Sequence, residues 1–262
     1  MSHFMALLKF LGFGFLAISY FISTAPFYLY GKLNRYEARK YLCKIMQFHA
    51  KILLQIMGVK TKLSFSKPLS QYGQLIIGNH LSYIDVIVMA AHFPTCFVTS
   101  IEMKKTFFLG QLCEAGGCLY VERRSRENLT QEIEDITHAL QNGLNVMVFP
   151  EATSTNGEAV KRFKRPLFQA AIDSGVDILP VIFNYISIDH RPVNALNRDQ
   201  IFWYGEMKFL PHFWKLLQST EITLKLEIAE NINVSPEDNI TELAAISHYV
   251  IKSHYQPVCV IS

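Results

Sequence analysis

Two short apolar runs that each end in a cluster of polar side chains constrain the fold of this chain most strongly. Residues 75–77 lead into the heptapeptide 79–85, Asn-His-Leu-Ser-Tyr-Ile-Asp, and residues 146–148 lead into 149–154, Phe-Pro-Glu-Ala-Thr-Ser. Apolar runs of this length are typical of strands buried on both faces of a parallel sheet. The carboxyl ends of such strands meet at one edge of the sheet, where ligands bind. The sequence therefore predicts an α/β fold with one site that both clusters share.

Further strands and helices alternate along the rest of the chain. The predicted strands are 62–66, 74–78, 96–99, 118–122, 145–149, 178–185, 201–204 and 222–228. The predicted helices are 34–57, 83–91, 126–142, 163–174 and 239–254. This alternation predicts a mostly parallel central sheet flanked by helices. We expect one catalytic domain at residues 59–262, preceded by a hydrophobic and an amphipathic helix within residues 1–58 that anchor the protein to a membrane.

The N-terminal segment is the strongest sign of membrane attachment. Residues 10–31 carry no charged side chain and exceed the roughly 20 residues that cross a hydrocarbon core. Gly12, Gly14 and Pro26 interrupt this run, so a hairpin or a helix in the membrane interface fits it as well as a spanning helix does. Basic residues follow between positions 32 and 51, which places the remainder of the chain in the cytoplasm by the positive-inside tendency. We expect a protein of the inner or cytoplasmic membrane whose catalytic domain faces the cytoplasm.

Composition and charge exclude other classes of partner. Only 18% of the residues are charged, against roughly 25% in an average globular protein. The formal net charge of +3 is too small to predict nucleic-acid binding, and it suits an anionic bilayer surface or an anionic substrate. The five cysteines form no CxxC pair, which predicts reduced thiols rather than a disulfide framework or a zinc site. We therefore expect no metal and no bound cofactor.

His80 and Asp85 are the candidate catalytic pair. On a continuous helix, five residues correspond to about 500° of rotation, which would put the two side chains on different faces. The simpler arrangement has His80 in the loop after the strand, Ser82 at the N-cap of the next helix and Asp85 in its first turn. There the helix dipole keeps Asp85 ionised, and the carboxylate can orient and stabilise an imidazolium. The same spacing fits a capping box between Ser82 and Asp85, and the two interpretations are compatible.

The second cluster and the cations near it supply further candidates. Pro150 interrupts strand hydrogen bonding and so places Glu151 at the sheet edge, although a polar surface turn would fit equally. The apolar run at 118–122 leads into arginine, the residue best suited to bind phosphate or carboxylate through two hydrogen bonds. A basic run at 161–165 follows the glutamate, and it fits solvation as well as contact with an anion or a membrane.

These motifs together resemble those of the membrane-associated glycerolipid acyltransferases, in particular the lysophosphatidic acid acyltransferase branch. The resemblance covers residues 60–190 and rests on four motifs in the family's order. They are NHxSxxD, an acidic residue and arginine after a strand, Phe-Pro-Glu-Gly-Thr, and a hydrophobic strand with Pro-Val. The matching residues are Asn79, His80, Ser82, Asp85, Val121, Glu122, Arg123, Phe149, Pro150, Glu151, Thr153, Ile178, Leu179, Pro180 and Val181. The resemblance implies a glycerol-3-phosphate acyltransferase-like fold.

For the reaction, the resemblance implies transfer of a fatty acyl chain from acyl-CoA or acyl carrier protein to a lysolipid hydroxyl. The first acceptor it implies is 1-acylglycerol-3-phosphate, which becomes phosphatidic acid. His80 and Asp85 are then the catalytic dyad, in which His80 takes the proton of the hydroxyl. The implied substrate-binding residues are Asn79, Ser82, Arg123, Glu151, Thr153 and Ser154, with Arg124, Lys161 and Arg162 as candidate anion-binding residues. The implied partners are the lipid bilayer, the lysolipid and, as one of two donors, the carrier protein.

Three departures from the family pattern leave the acceptor open. Ala152 replaces the usual glycine, and its methyl group restricts the turn. Ser154 and Ser100 stand where many phosphate-accepting members carry arginine and lysine. A lyso-ornithine lipid or another lysophospholipid therefore stays an alternative acceptor. A hydrolase with His80 as base and a non-catalytic membrane adaptor stay open as other classes of function.

Overall fold

One sheet organises the residues that the computed structural model describes, which are 2–65, 73–122 and 127–258. Its strands are β1 (Val59–Phe65), β2 (Leu75–Gly78), β3 (Cys96–Ser100), β4 (Leu119–Val121), β5 (Val146–Val148), β6 (Ile178–Ile188), β7 (Arg191–Pro192) and β8 (Ile222–Ile228). Their order is β1-β8-β6-β2-β5-β3-β4, and β7 pairs with the end of β6. From β6 to β4 the neighbouring strands are parallel, whereas β8 is antiparallel to β6 and parallel to β1. The predicted mostly parallel sheet is confirmed.

Helices cover both faces of this sheet. They are α1 (Ser2–Tyr30), α2 (Arg35–Met57), α3 (Tyr83–His92), α4 (Ile101–Lys104), α5 (Leu109–Ala115), α6 (Leu129–Gln141), α7 (Gln169–Ser174), α8 (Phe209–Leu217) and α9 (Ile240–His254). The chain crosses from β2 to β3 in one direction along the sheet, and this right-handed connection places α3 on one face. From β4 to β5 and from β5 to β6 the chain moves in the opposite direction, so the right-handed connections place α6 and α7 on the other face. α2 packs on α3 and α1 packs on α2, so the N-terminal helices share the face of α3.

Local signals explain where α2 begins and ends. The side chain of Asn34 accepts a hydrogen bond from the amide of Glu37, which caps the N-terminus. Gly58 follows the last turn with φ +79°, and a Cβ at this position would collide with the carbonyl oxygen of Thr220. The predicted helix at 34–57 is therefore confirmed.

α1 is one continuous helix that lies antiparallel along α2. It passes through Gly12, Gly14 and Pro26 without a break, so the hairpin alternative is wrong. Three contacts mark the alignment: Lys9 Nζ with Met57 O at 3.1 Å, Ser19 Oγ with His49 Nε2 at 3.2 Å, and the rings of Phe27 and Tyr41 at 4.9 Å. The Lys9 ammonium also donates to Ser219 O at 2.6 Å, just beyond α8. α1 is thus fixed to the rest of the protein along most of its length.

Residues 201–204 were expected to form a strand, and this prediction is wrong. The chain leaves a 3₁₀ turn, Arg198–Gln200, and continues in irregular conformation. The amide of Trp203 donates to Leu81 O at 3.0 Å, and the carbonyl of Trp203 accepts a hydrogen bond from Ser154 Oγ. The backbone of this segment therefore bonds to two loops at the sheet edge instead of to a neighbouring strand.

The remaining differences concern short elements. The predicted helix at 163–174 is shorter, because a 3₁₀ turn, Pro166–Phe168, precedes α7. The sequence did not predict α4, α5 or α8, which have 4, 7 and 9 residues. β1 begins three residues before its predicted start at 62. Residue 66 and the predicted helix start at 126 lie outside the described residues.

Candidate active site

The loop between β2 and α3 carries the candidate catalytic pair. β2 ends at Gly78, His80 follows in the loop, and α3 begins at Tyr83 with Ser82 as its N-cap. Asp85 lies in the first turn of α3, and its Oδ2 is 3.0 Å from His80 Nδ1. The amide of Ser82 donates to the same oxygen at 2.9 Å, as the capping-box interpretation requires of Asp85. One carboxylate therefore caps the helix and holds the imidazole.

His80 presents its second ring nitrogen to the surroundings. Because the carboxylate of Asp85 accepts the hydrogen bond, Nδ1 carries a proton, and in the neutral tautomer that this contact selects the lone pair is on Nε2. Among the described residues Nε2 has no hydrogen-bond partner, and 19% of the side chain is exposed. The imidazole stacks on the ring of Phe149, with centroids 4.0 Å apart and planes inclined by 20°. The ring is thus fixed in orientation, with Nε2 placed to accept a proton.

Asp85 is fully buried, and hydrogen bonds stabilise its charge. In addition to His80 and Ser82, Oδ2 accepts a hydrogen bond from the amide of Leu81 at 2.7 Å. Oδ1 accepts one from the hydroxyl of Tyr185 at 2.7 Å. Burial, reinforced by the neighbouring carboxylate, raises the pKa of Tyr185 well above its usual value, so the phenol keeps its proton and donates. Four donors and the N-terminus of α3 thus surround this buried carboxylate.

Glu151 lies at the end of β5 and holds the backbone of the histidine loop. Its Oε1 accepts a hydrogen bond from the amide of His80 at 2.8 Å, and its Oε2 accepts one from the amide of Lys161 at 2.7 Å. The amide of Thr155 donates to His80 O at 2.9 Å, so the glutamate loop fixes His80 on both sides. Both carboxylate oxygens already bond to backbone amides, which differs from the implied contact with a substrate hydroxyl. Burial raises the pKa of Glu151 to about 7, against the opposing effect of the two amides.

We expect the stability of the protein to depend on the titration of Glu151. Its pKa of about 7 in the folded state lies above its ordinary value of 4.5, so the folded state holds an extra proton between these pH values. The contribution of Glu151 to stability is therefore largest below pH 4.5, falls by up to about 3 kcal/mol as the pH rises to about 7, and is constant above that pH. Glu151→Gln cannot titrate here. Denaturant unfolding of both proteins from about pH 5 to about pH 8 should show their stability difference moving in favour of the variant, and a constant difference would contradict this.

The structure assigns different surroundings to the other predicted substrate-binding residues. Asn79 is buried and exchanges two hydrogen bonds, at 3.0 and 2.9 Å, with the backbone of Phe183, so it joins the end of β2 to β6. The side chain of Ser154 donates to Trp203 O, which joins the glutamate loop to the segment after residue 200. Thr153 is exposed beside them. Of these three, Thr153 is the side chain that is open to a ligand.

The predicted cations are distributed unevenly. Arg123 and Arg124 lie outside the described residues. Glu122, which precedes them, has its amide held by the carboxylate of Glu132 at 2.6 Å. Lys161 and Arg162 are exposed, and the backbone of Lys161 is fixed to Glu151 as described above.

Sequence reasoning missed two residues that build the site. Tyr185 ends the predicted strand 178–185, and a hydroxyl at the carboxyl end of a buried parallel strand was the available signal. Trp203 connects the histidine loop to the glutamate loop through its backbone, and no pattern in the sequence marked it. Within the described ranges, no group of three or more His, Cys, Asp or Glu side chains is arranged to hold a metal ion.

Comparison with known proteins relates this chain to acyltransferases. Residues 60–184 match the protein family described as Acyltransferase. The chain is 28% identical over 155 residues to the 1-acyl-sn-glycerol-3-phosphate acyltransferase of Neisseria gonorrhoeae, which is 59% of this chain and 58% of that protein. It is 26% identical over 235 residues to the lyso-ornithine lipid O-acyltransferase of Brucella abortus, which is 85% of each chain. The chain thus spans less than two thirds of the Neisseria relative.

A solved structure supports the fold. The crystal structure of the 1-acyl-sn-glycerophosphate acyltransferase of Thermotoga maritima superposes with a TM-score of 0.63 over 97% of this chain and 95% of that chain. The two sequences are 20% identical, so the likeness concerns the fold. It includes the helices before the sheet, because nearly the whole length of both chains is covered.

Proposed function

Because residues 60–184 match the acyltransferase family, we propose that the chain is an enzyme that moves a fatty acyl chain from a thioester donor to a hydroxyl of a lysolipid. The observation that carries the proposal is the geometry of His80, whose Nδ1 is held by Asp85 at 3.0 Å while Nε2 has no hydrogen-bond partner among the described residues. A neutral imidazole in this state is a general base. It lies at the carboxyl edge of the sheet, where an acceptor and a donor can meet.

The proposed reaction needs one base and no covalent acyl-enzyme. The acceptor hydroxyl attacks the thioester carbonyl carbon, and His80 Nε2 takes the hydroxyl proton as the carbon–oxygen bond forms. The carbon–sulfur bond then breaks, and the imidazolium returns the proton to the departing thiolate. Asp85 stabilises the imidazolium between these steps. The donor is already activated as a thioester, which acyl-CoA and acyl carrier protein both supply.

For the acceptor we propose 1-acylglycerol-3-phosphate first and lyso-ornithine lipid second. The first is the substrate in the name of the Neisseria relative, and the second is that of the Brucella relative. One observation favours the second candidate. The hydroxyl of Ser100 caps α4 by accepting from the amide of Met103 at 3.2 Å, and that of Ser154 donates to Trp203 O. These two positions, which carry cations in many phosphate-accepting members, here hold hydroxyls that bond to the backbone.

The test measures acyl transfer by the full chain, purified in detergent, to a panel of acceptors. Radiolabelled acyl-CoA and acyl carrier protein serve as donors, with 1-acylglycerol-3-phosphate, lyso-ornithine lipid, lysophosphatidylethanolamine or no lipid as acceptor. We expect labelled phosphatidic acid to form fastest. Faster labelling of lyso-ornithine lipid would select the second acceptor, and release of free fatty acid without lipid would indicate a hydrolase. No transfer with either donor would refute the enzymatic proposal.

We further propose that α1 lies in the interface of the inner or cytoplasmic membrane with the catalytic domain facing the cytoplasm. Within the described residues, His3–Tyr30 is a helix long and apolar enough to cross a membrane, with mean hydropathy 1.9. However, α1 packs along α2, which carries six charged residues. A spanning α1 would draw these into the hydrocarbon, at about 2.5–3.5 kcal/mol for each central charge. A helix lying in the interface avoids this cost.

The outward faces of α1 and α2 fit a lipid surface. The outward apolar residues of α1 include Phe4, Leu7, Leu8, Leu11, Phe15, Ile18 and Ile22. On α2 the exposed stripe alternates aromatic and basic side chains, in the order Tyr41, Lys44, Phe48 and Lys51. Aromatic rings enter the headgroup region while lysines contact anionic lipid, so the two helices form one interfacial surface.

We expect the double substitution Phe15→Glu with Phe48→Glu to weaken membrane binding strongly. Each phenylalanine that enters lipid contributes about 1.5–3 kcal/mol, so the variant should bind at least about 100-fold more weakly. Flotation with vesicles of phosphatidylethanolamine and phosphatidylglycerol measures this. Tyr249→Glu is the matched control, because Tyr249 is 73% exposed on α9, which packs against the opposite face. Equal binding of the double variant and the control would contradict an interfacial α1.

A further inference from the structure

We propose that Tyr185 is a positioning residue that sets the orientation and the charge of the Asp85 carboxylate, a role that rests on the acyl transfer proposed above. Its hydroxyl lies 2.7 Å from Asp85 Oδ1. Within the described residues this hydroxyl bonds to Asp85 and not to His80, so it acts on the reaction through Asp85. Neither the sequence motifs nor the family resemblance includes this residue.

The sheet explains how Tyr185 reaches the site. β2 has 4 residues and β6 has 11, and the two pair from Leu75 with Ile178 to Gly78 with Val181. β6 therefore continues past the end of β2 and runs beside the loop that follows it. Four residues beyond Val181, the side chain of Tyr185 lies against the first turn of α3. The ring of Phe202 contacts it edge to face, with centroids 5.2 Å apart, which restricts its rotation.

The two oxygens of Asp85 have unequal partners. Oδ2 accepts three hydrogen bonds, from the side chain of His80 and the amides of Leu81 and Ser82. Within the described residues, Oδ1 accepts one hydrogen bond, from Tyr185. Asp85 is fully buried, so an Oδ1 without Tyr185 would be a buried acceptor with no partner. The phenol thus fixes the rotation of the carboxylate, whose other oxygen holds the imidazole.

Tyr185 also draws charge away from the carboxylate. A hydrogen bond to one oxygen reduces the negative charge that the other presents to His80. Without the phenol, the carboxylate should stabilise the protonated imidazole more strongly, and the base would be lost at a higher pH. Other titratable groups that face the pair are Glu151 from the loop after β5 and Tyr255 from the segment after α9. Both stay in place in a Tyr185→Phe variant.

The test compares wild type with Tyr185→Phe in steady-state kinetics across pH. We expect kcat to fall about tenfold, because the carboxylate is no longer fixed in the rotation that orients the imidazole, while KM for both substrates stays within about twofold. The acid limb of the kcat/KM profile should move up by about half to one pH unit. Introducing 4-aminophenylalanine at position 185 restores a donor and should recover most of the rate. Tyr204→Phe is the matched control, since its hydroxyl also donates to a carboxylate at 2.7 Å, that of Asp199.

Several outcomes would overturn the proposal. If Tyr185→Phe had a lower melting temperature but an unshifted pH profile, the role of Tyr185 would be merely structural. The same conclusion would follow if Tyr204→Phe lost as much of kcat as Tyr185→Phe. An imidazole titration of His80 by NMR, in protein labelled at histidine carbon, needs no turnover. If wild type transferred no acyl chain, this titration would still move up in pH in Tyr185→Phe, so that the proposed function alone would fail. An unmoved titration would refute the positioning role.

Discussion

His80→Ala is expected to lower kcat for acyl transfer by about 10²- to 10⁴-fold, the usual contribution of a positioned general base. The reason is geometric, because Asp85 holds Nδ1 and, in the part of the chain that the structure describes, Nε2 has no hydrogen-bond partner. The fold should survive the substitution. Glu151 and Thr155 hold the backbone of residue 80, and their hydrogen bonds do not involve its side chain. The lost stacking on Phe149 should cost about 1–2 kcal/mol.

The measurement is initial-rate acyl transfer at saturating donor, with the melting temperature of each variant recorded alongside. His138→Ala serves as the control, since His138 is exposed on α6 on the opposite face of the sheet. We expect the control to keep the rate of wild type. If His80→Ala kept more than about a tenth of the rate, His80 would not be the base. If neither wild type nor His80→Ala transferred acyl groups but both bound vesicles equally, the result would support the alternative of a non-catalytic membrane adaptor.

The sequence sufficed to predict how the site is assembled, for a physical reason. Short apolar runs that end in turn residues are typical of buried strands, and parallel strands bring their carboxyl ends to one edge. His80, Asp85 and Glu151 each follow such a run, so their proximity was predictable. The spacing of Ser82 and Asp85 also fixed the helix start, because a capping interaction needs that separation.

The contacts within the site could not be predicted, because they depend on relative strand lengths and on irregular segments. Tyr185 reaches Asp85 because β6 extends past β2, and a sequence gives strand ends only approximately. The stretch at 201–204 has the composition of a strand, yet its backbone bonds to two loops and not to a sheet. Local strand propensity does not determine whether a segment pairs with a sheet or bonds to loops, because that depends on tertiary contacts.

Ala152, which replaces the glycine of the family motif, shows that the motif marks a backbone conformation. The comparison indicated a restricted turn, and the structure places Ala152 at φ +59°, in the left-handed region. For alanine this conformation costs about 1 kcal/mol or slightly more. The turn keeps its shape nevertheless, since hydrogen bonds of Glu151 and Thr155 on either side fix it to His80. The motif therefore reflects a backbone conformation that the surrounding hydrogen bonds enforce.

Asp85→Asn is expected to reduce kcat by about 10²- to 10³-fold with a small loss of stability, which would separate the charge of this residue from its hydrogen bonds. An asparagine can direct its oxygen to the three donors that now bond to Oδ2, and its amide N–H can donate to the hydroxyl oxygen of Tyr185. Every partner would keep a hydrogen bond, so unfolding should become easier by only about 1–2 kcal/mol. Asp85→Ala would instead leave buried amides without an acceptor, at about 1–3 kcal/mol each.

The catalytic loss in Asp85→Asn follows because a neutral amide orients the imidazole but does not stabilise its positive charge. Initial rates and denaturant unfolding of wild type, Asp85→Asn and Asp85→Ala give both quantities for each protein. The asparagine variant should resemble wild type in stability and resemble His80→Ala in rate. A variant that lost both in proportion would show that Asp85 acts by holding the loop in shape. A variant that kept its rate would show that orientation is sufficient, and the imidazolium would then need another source of stabilisation at this edge of the sheet.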